Sequence, residues 1–194
     1  MTEILRAAVG IFATLAPFGL IPAFLAASPT AREEDDALAA RTLPLAGVTA
    51  LAVLLVAVLL ADLFLGFLDV SAENFQAGAA VIMAPLAVRL LWSGRSLGLS
   101  EVATSRPWLL PLAIPGLAAP ASLAAVVASS GRSGETDTAA AVLIAIVAAV
   151  ALLYAGGFLR RTLGGLPVGI LGRLSGVLVV AIAVELAADG IRSV

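Results

Sequence analysis

The chain has 194 residues, 61% of them hydrophobic and only 12% charged, with a net charge of −2. Soluble domains carry roughly 25% charged residues, so a water-soluble globule is excluded, and the slightly acidic balance gives no footing for nucleic acid. With neither cysteine nor histidine, disulfides, thiolate or imidazole metal sites and histidine acid–base chemistry are excluded too.

Six apolar segments follow in chain order, each close to the ~20 residues a helix needs to cross a ~30 Å hydrocarbon layer. The first, residues 4–27, is interrupted by Pro17, Gly19 and Pro22. Its length and the spans after it distinguish it from a cleaved signal segment. A polar stretch with Arg32, Glu33, Glu34, Asp35 and Asp36 leads to the second, residues 43–66, which is charge-free from Leu43 to Ala61. Asp62 and Asp69 read as interfacial. The third, residues 74–92, opens on Asn74 and Gln76, with Asn74 a candidate cap. Arg89 near its inner end is expected to snorkel to the surface.

The fourth segment, residues 107–128, carries Pro107, Pro111, Pro115, Gly116 and Pro120. A connection holding Arg132, Glu135 and Asp137 precedes the fifth, residues 138–159. Another holds Arg160 and Arg161, with Arg173 at its far edge, before the sixth, residues 172–191. Gly156-Gly157 and Gly164-Gly165 suit close packing or a turn. Helices are the only sensible reading, because an open strand in lipid leaves backbone groups unpaired and the short alternating segments of a barrel are missing.

Arginine bias orients the chain. With six spans, Arg32, Arg41, Arg89, Arg95, Arg106, Arg160, Arg161 and Arg173 share one side, and Arg6, Arg132 and Arg192 the other. The larger group is expected in the cytoplasm, with both termini outside.

The first and fourth segments are interrupted alike. Mid-span proline removes an N–H and frees carbonyls of the preceding turn, which survive in a membrane only where protein or a watery cavity meets them. An offset of 98 residues sets Pro17 on Pro115, Pro22 on Pro120 and Gly78 on Gly176. The chain is therefore expected to be one all-α membrane domain, residues 1–194, of six transmembrane helices. Its two three-helix repeats, about 1–98 and 99–194, must be inverted, because each holds an odd number of spans. Paired broken helices in inverted halves point to a transporter site.

The motifs also carry a resemblance. Ala16-Pro17-Phe18-Gly19-Leu20-Ile21-Pro22-Ala23-Phe24-Leu25 resembles the first-helix signature of the MarC family, normally Asn-Pro-x-Gly-x-x-Pro-x-Phe-Leu. Pro111 to Pro115, then Ala119-Pro120-Ala121, resembles the fourth-helix signature, where Gly-Pro-Gly is usual. Ala77-Gly78 with Leu86 to Leu91, and Arg173-Leu174-Ser175-Gly176 with Ala181 to Glu185 and Asp189-Gly190-Ile191, resemble the third and sixth helices. The resemblance implies a six-helix bacterial inner-membrane protein of a family grouped with the LysE superfamily of small-solute exporters, some members of which are similar to transporters of small neutral amino acids. Ala16 departs from the family's asparagine, and Ala119 and Ala121 from its glycines.

The site expected is a pocket between the first and fourth helices, built from Thr14, Ala16, Pro17, Gly19, Pro22, Pro115, Gly116, Ala119, Pro120, Ala121 and Ser122. Helix halves beginning after Pro17 and Pro120 would aim N–H groups at a carboxylate, and freed carbonyls would take an ammonium or a sodium ion. Glu185 either titrates as a proton carrier or hydrogen-bonds structurally. No catalytic constellation stands out, so no enzyme is expected, nor any cofactor beyond coupling to sodium ion or proton. The partners expected are the lipid bilayer, a small-molecule substrate and, in a homo-oligomer, further copies of the chain. The reading is a secondary transporter or exporter of small solutes, foremost small neutral amino acids, by alternating access; the alternative is a non-transporting accessory or structural membrane protein.

Overall fold

A computed structural model describes residues 2–26, 33–93, 113–114, 116–163 and 165–192. Among these residues there is no strand and there are seven helices: α1 (Thr2–Leu15), α2 (Pro17–Ala26), α3 (Glu33–Leu68), α4 (Ala72–Ser93), α5 (Pro120–Ser133), α6 (Glu135–Leu163) and α7 (Gly165–Arg192). Five stretches are long and apolar enough to span a bilayer: Thr2–Ile21, Thr42–Phe67, Asn74–Ser93, Glu135–Gly156 and Gly172–Arg192. They coincide with five of the six apolar segments. The fourth segment falls partly outside the described residues and ends in α5.

The apolar surface faces outward as well as inward, which water would forbid. Phe67 and Trp92 are 85% and 86% exposed, and Leu59, Leu63, Val81, Val147 and Val184 stand out in the same way. Lipid is the solvent for such a surface. Inside, two apolar clusters hold the helices together. One joins α1, α2, α3 and α6 through Ile11, Leu15, Leu20, Ile21, Leu54 and Leu153. The other joins the Ala16 corner to α4, α5 and α7 and is rich in alanine, with Ala79, Ala80, Ala87, Ala121, Ala124, Ala125 and Ala128. Small side chains let membrane helices approach closely where lipid removes the hydrophobic drive to associate. At the α4–α7 seam a Cβ on Gly176 would lie 2.8 Å from the Leu91 backbone nitrogen, so only glycine fits. Gly156 likewise makes room for the Ile21 side chain, joining α6 to α2.

The helices reach further than the apolar segments alone imply. The run Glu33 to Asp36 forms the first turn of α3. α3 ends at Asp69, whose φ of 53° and the Val70 N–H bond to the Leu65 carbonyl (3.1 Å) close the helix in a left-handed turn. The cap of α4 is Ser71, whose Oγ accepts the Asn74 N–H at 3.2 Å; Asn74 is the capped residue and not the cap. Arg132 and Glu135 lie on helices and not in a loop, because Gly134 alone connects α5 to α6 with a φ of 82°. Arg160 and Arg161 likewise continue α6.

Candidate functional site

The first membrane crossing breaks at one residue. α1 ends at Leu15 and α2 begins at Pro17. Between them Ala16 is buried with a φ of 46°, a left-handed conformation that costs an L-residue about 1–2 kcal/mol. The Ala16 N–H donates to the Ala13 carbonyl (3.1 Å), and the Ala16 carbonyl accepts the Gly19 N–H (2.9 Å). The Thr14 hydroxyl donates to the Ile11 carbonyl at 2.8 Å. Pro17, lacking an N–H, suits the first position of the new helix.

The stretch that leads into α5 breaks more gradually. The Ala118 N–H donates to the Ala113 carbonyl at 2.8 Å, five residues back, which widens the turn. Ala119 is then extended, with φ −76° and ψ 158°, and α5 begins at Pro120. The buried Ser122 hydroxyl lies 2.8 Å from both the Leu117 and Ala119 carbonyls and shares its proton between them. The Leu123 N–H also donates to Ala119 (3.0 Å).

Ala16 and Ala121 belong to one buried cluster, and α1 packs against α5, so the two breaks share one region of the interior. Pro17, Gly19, Gly116 and Ala119 are buried with them, whereas the Pro120 ring is exposed. Pro115 and the Pro22 side chain lie outside the described residues. Carbonyls at both breaks already accept bonds from nearby hydroxyls and amides. The two helix starts, Pro17 and Pro120, lie 103 residues apart, whereas the offset of 98 pairs Pro17 with Pro115, which lies outside the described residues. Gly78 and Gly176, which the offset of 98 pairs, also differ, since a Cβ on Gly78 meets no atom within 4 Å among the described residues.

Above the breaks lies a cavity of about 380 Å³ between α1, α5 and α7. α1 contributes Glu3, Arg6, Ala7 and Gly10; α5 contributes Ala125, Ser129, Arg132 and Ser133; α7 contributes Ile182, Glu185 and Leu186. Each set follows the three-to-four spacing of one helix face. The four charged residues are exposed at the rim, while Ala125, Ser129 and Leu186 are buried at the floor. Continued by the same spacing, the α1 face passes from Gly10 to Ala13, Thr14 and Pro17, and the α5 face from Ala125 to Ser122 and Ala121. The floor stops roughly 9 Å short of the breaks, six residues at 1.5 Å each. Glu185 thus stands exposed at the rim of the cavity. Glu3, Arg6, Ser129 and Arg132 are absent from the site expected above, although the helical spacing of 3-6-10 and 125-129-132 was there to find them. Among the described residues no group of three acidic side chains is placed to hold a metal.

Set against known proteins, the sequence matches the description "MarC family integral membrane protein" over residues 1–194. The chain belongs to the MarC family. It is 31% identical over 198 residues to the UPF0056 inner membrane protein YhgN of Escherichia coli, covering 99% of this chain and 98% of that one. A UPF0056 membrane protein of Methanocaldococcus jannaschii is 27% identical over 194 residues, covering 94% and 92%. One from Aquifex aeolicus is 25% identical over 201 residues, covering 97% and 92%. No solved structure matches the chain significantly. With several spanning helices and MarC membership over its whole length, this chain is a multi-pass membrane protein.

Proposed function

We propose that this MarC-family chain is a secondary transporter of small solutes, foremost small neutral amino acids, working by alternating access in the bacterial inner membrane. One observation carries the reading: two helices broken at Ala16-Pro17 and Ala119-Pro120 meet in the interior, and a charged cavity runs toward them along the same two helices. Helix N-termini carry partial positive charge, and broken membrane helices are tolerated where they serve a binding cavity. The inner-membrane placement draws on the name of the Escherichia coli relative. The outward orientation of the termini draws on the arginine bias, and the solute class on the resemblance to the LysE superfamily.

An inverted repeat is part of the proposal. α1 and α2 pack on α6 as α5 packs on α3, and α2 packs on α7 as α5 packs on α4. These pairings exchange when the halves are exchanged, the pattern two inverted copies would give. Coupling to proton or sodium would place Glu185 or the break carbonyls in that role.

A second reading, a membrane protein without transport, is favoured by one feature. The Thr14 and Ser122 hydroxyls donate to their own backbone, and alanine replaces the polar Asn of the family at position 16. Purified protein in proteoliposomes decides between them. Wild type should accumulate labelled glycine or alanine, and Gly19→Trp should insert normally while uptake falls to background. Wild-type uptake no greater than that of empty vesicles would leave the accessory reading.

A further inference from the structure

The cavity between α1, α5 and α7 has a charge pattern that the helix breaks do not explain. Its rim holds two guanidiniums, Arg6 and Arg132, and two carboxylates, Glu3 and Glu185. The four come from three helices that lie far apart in sequence, and their formal charges cancel. A rim of one sign would attract any counter-ion. A balanced rim offers little to a lone anion or cation, and most to a molecule carrying both charges at once. The volume of about 380 Å³ lies within the ~300–1,000 Å³ typical of small-molecule sites. Below the charges the lining is Gly10, Ala125, Ser129 and Leu186, small or apolar side chains with one hydroxyl, which suits a small apolar substituent.

We propose that this cavity is a capture site for small zwitterions, with Arg6 and Arg132 taking the carboxylate and Glu185 and Glu3 the ammonium. Guanidinium suits the first task because its planar fork matches a carboxylate with two parallel hydrogen bonds. The inference rests on the solute class of the transport reading and adds a place and a selectivity to it. A ligand held here sits directly above the faces of α1 and α5 that continue to Thr14 and Ser122. From this site a solute would need to move only roughly 9 Å, less than two turns of helix, to reach the breaks.

The absence of cysteine from the chain makes the test clean. Ser129→Cys introduces a single thiol at the cavity floor, and its reaction with a water-soluble thiosulfonate reports both water access and occupancy. In detergent-solubilised full-length protein the thiol should react, and glycine should slow the reaction in a saturable way. Acetate and methylamine, each carrying one of the two charges, should protect far less. Arg6→Gln or Arg132→Gln should raise the glycine concentration for half-protection about tenfold or more, the scale of one lost charge-assisted hydrogen bond. Arg192→Gln, outside the cavity, should leave it unchanged. A thiol that never reacts, protection by acetate equal to that by glycine, or indifference to both arginine substitutions overturns the proposal. If glycine protects Cys-substituted protein but wild-type vesicles take up no solute, the transport reading falls and the capture site stands. If uptake occurs without protection, the reverse holds.

Discussion

The two breaks reach the same end by different backbone means. At Ala16 one left-handed residue turns the chain, and the strain sits on a side chain that the conformation disfavours. At Ala119 the turn is spread over a widened stretch and an extended residue, and the Ser122 hydroxyl bridges the carbonyls left behind. The first solution is short and strained; the second is longer and hydrogen-bonded. A membrane interior allows both, provided the released backbone groups find partners.

Substitutions at matched positions sharpen that contrast. The largest effect is expected from β-branching. Ala16→Val forces a branched residue into a region where such residues are outliers and should lower stability in detergent by a further 1–3 kcal/mol or about that. Ala119→Val, at an extended position that suits branching, should cost clearly less in the same thermal-unfolding measurement. Equal losses would show that bulk, not backbone conformation, limits both sites. In the opposite direction, Ala16→Gly or Ala16→Asn should stabilise by about 1 kcal/mol, since both residues enter the left-handed region readily. No gain would mean that the Ala16 corner is relaxed by its surroundings. The smallest effect belongs to Ser122→Ala, which removes the bridging hydroxyl. Hydrogen bonds of this kind in membrane proteins average about 0.6 kcal/mol, so a midpoint shift of a few degrees at most is expected.

Much of the architecture was legible in the residues. Unbroken apolar runs such as Leu43 to Ala61 leave a helix no alternative in lipid, and five of the six segments recur as spanning helices. The prolines at 17 and 120 do stand at helix starts, because proline's fixed φ and missing N–H fit that position. What the residues concealed was conformation and neighbourhood. Nothing about an alanine announces a positive φ, so the Ala16 corner was readable only as a departure from asparagine. Nor do prolines alone mark breaks: Pro22 lies inside α2, whereas Pro17 opens it. The cavity was hidden for another reason. Glu3, Arg6 and Arg132 belong to segment ends, where charge normally signifies a water interface, and only the packing of α1, α5 and α7 gathers them around Glu185.

The apolar part of α3 runs from Thr42 to Phe67, 26 residues, or roughly 39 Å along its axis. Asp62, read as interfacial, leaves roughly 30 Å of charge-free helix from Thr42 to Ala61, which a hydrocarbon layer of about 30 Å accommodates upright and a thinner one would tilt. α3 packs on both α5 and α6, so any change in its lean is handed to the helix that follows the Ala119 break and to its neighbour. Acyl-chain length therefore acts on this protein as a mechanical variable: thin bilayers press α3 over, thick ones let it stand.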